Sequence, residues 1–142
     1  MRLIRVSDDR LAQLRTVRAE LNAPTDGAAI GALLRRFVAE RGKVAVPLPG
    51  VDLRRFPDGI CVAFDGDELT GFDVAEAHAF ADALDAILDG RDATLRDGWS
   101  VRRRGSGFAV RIDATERLWD RDVLGDFLAL VREALPGLPK AA

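Results

Sequence analysis

Cys61 and His78 are the only cysteine and the only histidine among the 142 residues, so any thiol–imidazole chemistry rests on them. Such a pair acts only when thiol and imidazole come within hydrogen-bond reach. Cys61 lies in a strand-like segment whose core face is Ile60, Val62 and Phe64. Its thiol therefore points the other way, and an enzyme is not expected. A single thiol closes no intrachain disulfide, and one histidine beside it makes a structural zinc site a poor fit. Asp65-Gly66-Asp67-Glu68 is dense in carboxylates, yet it lacks the spacing of a calcium loop, and Asp-Gly is a turn signal. The stretch Arg104-Gly105-Ser106-Gly107-Phe108 lacks the lysine and the following helix of a phosphate loop. No catalytic residue, cofactor or metal is expected. Arg102-Arg103-Arg104 is the densest basic run. It reads either as a contact to DNA or an acidic partner, or as a solvated edge strand whose charges block sheet-to-sheet aggregation.

These side chains must be held by elements, and the elements are legible. The opening RLIRVS alternates Ile4 and Val6 with Arg5, as a half-buried strand does. Ser7 reads as a helix N-cap, with Asp8 and Asp9 in the first turn, where the helix dipole favours acids. Leu11, Leu14, Val17 and Leu21 make one apolar stripe. Asn22 suits a left-handed C-cap, and Pro24 cannot continue the helix. Thr25 or Asp26 caps a second helix with an expected buried stripe of Ile30, Leu33, Leu34, Phe37 and Val38. Gly42 closes it, and Val44–Gly50 is a proline-containing linker.

The remainder reads as a duplication. Between Leu53–Glu68 and Val101–Glu116, offset by 48 residues, six of sixteen positions are identical. Unrelated segments of ordinary composition match at about one. A one-residue slip then aligns Asp73 with Asp120, Phe80 with Phe127 and Leu88 with Leu135. Each copy reads strand, tight turn, strand, short extended piece, helix. Ile60, Val62 and Phe64 in one copy, and Phe108, Val110 and Ile112 in the other, are expected to share one sheet face beneath both helices. Asp73 and Asp120 are the expected helix caps.

Composition, with 48% hydrophobic and 31% charged residues, excludes a disordered or fibrous chain. No run approaches the roughly 18 apolar residues of a membrane span. The N-terminus has no apolar stretch of the kind a signal peptide needs, so a cytoplasmic protein without membrane contact is expected. The net charge of −2 conceals an asymmetry. Residues 1–46 hold nine basic and five acidic side chains, net +4, and the rest of the chain is net −6. Residues 51–90 alone carry two arginines against ten acids. A basic first third on an acidic body suggests two units with different partners.

One short strand and two amphipathic helices, in roughly 45 residues, sit at the margin of independent folding. Residues 2–41 resemble the ribbon-helix-helix family of repressors (Arc/MetJ type). The likeness is carried by IRVSDDRLAQL and LNAPTDGAAIGALLRRF, with apolar Ile30 and Leu34 five and nine positions after Thr25. The chain departs from the family pattern at Asn22, where glycine is frequent, and at Ala28, where glutamate is common. The resemblance implies a dimer, with strands from two chains paired into a β-ribbon that enters the DNA major groove. Its implied DNA-contacting residues are Arg2, Leu3 and Arg5 from the ribbon, Ser7, and the helix N-terminus at Thr25, Asp26 and Gly27. Arg5 suits a bidentate pair with guanine, and Leu3 a thymine methyl. A helix N-terminus suits a phosphate.

The expected fold class is thus α+β. Residues 1–46 form a dimeric ribbon-helix-helix (β-α-α) domain. Residues 51–142 form a duplicated ββα antiparallel-sheet domain, with copies at 51–90 and 95–135 and helices on one face. The expected function is a dimeric DNA-binding transcriptional regulator. Its partners are double-stranded DNA, a second copy or higher oligomer, and a possible protein at the C-terminal domain, which senses, oligomerises or binds. Repressor, antitoxin, partition and relaxosome roles all remain open. The alternative is a protein-interaction module whose N-terminal segment only dimerises.

Overall fold

The computed structural model describes residues 5–42 and 46–135. The chain divides into two compact units, Met1–Lys43 and Val44–Ala142.

The first unit is a helical hairpin of α1 (Asp8–Glu20) and α2 (Asp26–Glu40). Ser7 caps α1, its hydroxyl oxygen accepting from the Arg10 N–H at 3.3 Å. Asn22 adopts the left-handed conformation, at φ 54°. Around it the Asn22 N–H donates to the Ala19 carbonyl and the Ala23 N–H to the Arg18 carbonyl. These two bonds are a Schellman closure, built on asparagine in place of glycine. The expected strand through residues 2–6 lies mostly outside the described residues, and residues 5–7 belong to no strand. A lone chain gives that segment no strand to pair with. The described elements therefore begin with a helix.

In the second unit each copy is βββα, because the short extended piece is a third strand. The first copy comprises β1 (Val51–Phe56), β2 (Gly59–Phe64), β3 (Thr70–Asp73) and α3 (Val74–Leu88). A two-residue strand, β4 (Thr94–Leu95), precedes the second copy. That copy comprises β5 (Trp99–Arg104), β6 (Gly107–Ile112), β7 (Thr115–Trp119) and α4 (Arg121–Ala134). All pairings are antiparallel, in the orders β1-β2-β3 and β4-β5-β6-β7.

The duplication holds at the level of register. Leu53 faces Val62 as Val101 faces Val110, with the 48-residue offset. Ile60 faces Phe72 as Phe108 faces Trp119, so the one-residue slip falls in the loop between the second and third strands. Asp73 and Asp120 cap their helices by accepting from the Glu76 and Val123 N–H groups.

The expectation of one sheet is corrected: there are two. The third strand of each copy explains why. β1 and β3 flank β2, and β5 and β7 flank β6, so neither central strand has a free edge on which the copies could join.

The copies meet through side chains instead. α3 packs on α4 and on β5 of the other copy, and α4 packs reciprocally on β1. One apolar cluster spans both, including Ile60, Val62, Phe64, Phe108, Val110 and Ile112. Phe80 and Phe127, equivalent residues, meet at 5.9 Å between ring centres. Each meets the aromatic of its own third strand: Phe80 stacks on Phe72 at 5.2 Å, and Phe127 packs tilted against Trp119 at 4.8 Å.

Candidate nucleic-acid interface

The N-terminal unit is held together chiefly at its turn. Arg18, in the last turn of α1, reaches across it. Its guanidinium donates to the Ala23 and Pro24 carbonyls and pairs with the Asp26 carboxylate at 3.0 Å. One planar fork thus ties the end of α1 to the start of α2, a geometry that lysine cannot reproduce. The signal was present in the sequence as an arginine eight residues before an N-terminal aspartate, but an i,i+8 pair has meaning only once the turn is known.

Thr25, not Asp26, caps α2: its hydroxyl accepts from the Ala28 N–H at 3.0 Å. The first N–H groups of the helix, at Asp26 and Gly27, have no intrahelical acceptor and face outward. Beside Gly27 the space is open, with only the Thr25 hydroxyl near the position a Cβ would take. The Asp26 carboxylate is engaged by Arg18, which offsets its charge next to this N-terminus. Arg5 and Ser7 are exposed ahead of α1. Arg2 and Leu3 lie outside the described residues.

The apolar stripe of α2 is where expectation and structure part. Val38 is buried, together with Ala29 and Gly31. Ile30, Leu33, Leu34 and Phe37, expected to be buried, are 48%, 40%, 47% and 53% exposed. Leu11, Leu14 and Val17 of α1 are half-buried, and no residue of that helix is fully buried. Two helices meet along one line of contact only. A stripe spread over four large side chains on α2 is wider than that line, so the excess faces out.

In the second unit, the basic run of β5 is partly consumed by structure. Arg102 and Arg104 pair with Glu116 at 3.2 and 2.8 Å, and Arg103 lies over the Phe108 ring. β4 pairs only with Ser100 and Val101, so these three arginines stand on an open stretch of strand edge. Cys61 is on the face of β2 opposite the core, whereas α3, which carries His78, packs on the core side. The sheet separates the two. Of the Asp65–Glu68 carboxylates, Asp65 accepts from Arg117 and Asp67 from the Thr115 hydroxyl. Among the described residues no group of His, Cys, Asp and Glu side chains is disposed to hold a metal ion. Among the same residues, no helix is long and apolar enough to cross a membrane. Compared with known proteins, the chain matches no family model, no curated protein and no solved structure.

Proposed function

We propose that the chain is a DNA-binding regulator that acts as a dimer through its N-terminal unit. The observation that carries the reading is the exposed face of α2. Ile30, Leu33, Leu34 and Phe37 form a contiguous apolar surface on a unit too small to cover it. A second copy of the same face is the self-complementary occupant that a two-fold pairing supplies. The hairpin supports the rest: caps at Ser7 and Thr25, a Schellman turn between the helices, and an exposed Arg5 ahead of α1.

In this reading residues 2–6 of two chains pair as a ribbon in the major groove. Arg5 then reads a base edge, and the outward N–H groups at the start of α2 rest on a phosphate. The second unit, whose first copy is strongly acidic, is held away from the DNA by its own charge and is left for a partner.

The test is a salt series of duplex-DNA binding by the full chain. A steep fall of log affinity against log salt is expected, reflecting release of counterions from several phosphates. A dimer in sedimentation with no salt-dependent DNA binding would leave the N-terminal unit as a dimerisation device, and the protein as an interaction module.

A further inference from the structure

The two copies of the βββα fold provide an internal comparison, and one of the places where they differ is the outer face of the sheet. On the outer face of the first sheet is a groove of about 280 Å³ lined by Phe56, Asp58, Gly59, Cys61, Gly71 and Asp73. Cys61 faces Gly71, and Phe56 faces Gly59, across the strand pairs. These positions alternate with Ile60, Val62 and Phe72 of the core, so they look away from both helices.

The equivalent surface of the second copy carries larger side chains, although Leu118 itself remains 60% exposed. Leu118 stands where the first copy has Gly71, and it lies across from Ala109, the equivalent of Cys61. Arg104 stands in place of Phe56 and is tied down by Glu116. Ala109 is consequently buried, whereas Cys61 remains half open.

Two glycines border the groove for different reasons. Gly59 is required by the backbone, since a Cβ there would sit 1.9 Å from the Phe72 carbonyl oxygen. Its equivalent, Gly107, is similarly crowded by the Trp119 carbonyl at 2.9 Å, which accounts for glycine in both copies. Gly71 has no such constraint. A Cβ there would make only an ordinary contact, 3.9 Å from the Cys61 sulfur. The fold accommodates a side chain at that position and carries a leucine there in the second copy. What glycine preserves in the first copy is the open space.

We propose that this groove docks a basic, extended segment of a partner protein, with one apolar side chain of that segment seated between Phe56 and Gly71 over Cys61. The charge decides the chemistry of the partner. The first copy, residues 51–90, carries two arginines against ten acidic residues, and Asp58 and Asp73 stand exposed on the rim of the groove. Arg54, across from Cys61 on the same face, is paired with Asp52 at 3.1 Å, which offsets its charge. An aromatic wall and a small-residue floor suit an aliphatic anchor, and the surrounding field favours lysine and arginine on either side of it while repelling nucleic acid. The assignment stands apart from the DNA reading and concerns only the second unit.

The experiment is selection of phage-displayed random dodecapeptides on the full chain, with the selected peptides resynthesised. Cys61 is the only thiol, so its rate of alkylation by iodoacetamide reports occupancy of the groove. Enriched peptides are expected to combine several basic residues with one large aliphatic or aromatic residue, and to protect Cys61. Gly71→Leu, which installs the residue of the second copy, should weaken their binding about tenfold or more, as loss of an anchor pocket does. Phe56→Arg, at an exposed position, should do the same without disturbing the core. Failure to enrich any peptide, enrichment of acidic or purely polar peptides, or undiminished binding to both variants overturns the proposal.

Discussion

Asp65 and Asp113 occupy the same left-handed turn position in the two copies, at φ 55° and 51°, and each accepts a hydrogen bond from the other copy's third strand. Asp65 receives the Arg117 guanidinium at 2.8 Å, and Asp113 receives the Thr70 hydroxyl. Thr70 and Arg117 are equivalent once the one-residue slip is counted, so the two bonds are related by the internal two-fold. The backbone bonds follow the same symmetry: Asp65 N–H donates to the Gly50 carbonyl, and Asp113 N–H to the Gly98 carbonyl. Polar contacts at the rim and shared apolar packing inside thus join the copies into one folding unit.

That coupling predicts the behaviour of Val62→Asp. Val62 is fully buried in the first copy, and an unpaired carboxylate there costs about 4 kcal/mol or more. Trp99 and Trp119 both belong to the second copy. In a urea titration of the full chain, tryptophan fluorescence should shift to lower denaturant together with circular dichroism. An unmoved tryptophan transition would make the copies independent.

Phe37→Asp separates the dimer from the monomer. At a position 53% exposed in a single chain, with Arg41 over its ring at 4.4 Å, the substitution should lower monomer stability by about 1 kcal/mol. If α2 faces a second copy, the same change buries two charges near a two-fold axis and should abolish dimerisation at micromolar concentration. Sedimentation velocity, with melting temperature against concentration, reads the difference.

Arg5→Ala should weaken binding to a selected operator by about 1–3 kcal/mol per contact and relax preference at one base pair in each half-site. Arg36, exposed and paired with Glu40 at 3.7 Å, is the control. Arg36→Ala should have a milder effect that is uniform across sequences. Sequence preference that survives Arg5→Ala would remove the ribbon as the reader.

Arg18→Lys tests the lock on the inter-helix turn. Lysine keeps the charge but cannot engage Ala23, Pro24 and Asp26 together. Because the site is about a third exposed, the expected loss is modest, about 1 kcal/mol. Asn22→Ala should cost about 1 kcal/mol through the left-handed backbone, and Asn22→Gly should be neutral or stabilising. Thermal denaturation of both variants gives the comparison.

Much of this arrangement was legible in the sequence. Capping residues at Ser7, Asp73 and Asp120, the hairpin turns, and alternation along Ile60–Phe64 and Phe108–Ile112 are local signals, and local physics decides them. The left-handed Asn22 was legible for the same reason. The third strands were harder to read, because four residues such as Thr70–Asp73 carry too short a pattern to show a period. That miss led to the expectation of one sheet, since only the third strands reveal that β2 and β6 have no free edge. Periodicity marked Ile30, Leu33, Leu34 and Phe37 as apolar, but it says which side of a helix is apolar and not what covers it. The groove at Gly71 left no signal at all until register set it opposite Cys61 and matched it to Leu118.

The crossing of helices between copies also sets a timetable for synthesis. Phe80 packs against Trp99 at 4.9 Å, and α3 rests on a strand that begins at that residue. While the chain emerges from the ribosome, α3 can close on β2 and β3, but the side it presents to α4 and β5 stays open until the second copy follows. At about 5–20 residues per second, that delay lasts seconds, during which the side of Phe80 that meets Trp99 and Phe127 stays uncovered. The N-terminal hairpin has no such wait, since α1 and α2 are neighbours in sequence and pack on each other directly. Nascent chains stalled before Trp99 should therefore be bound by holdase chaperones through the first copy alone, and released once α4 has cleared the exit tunnel.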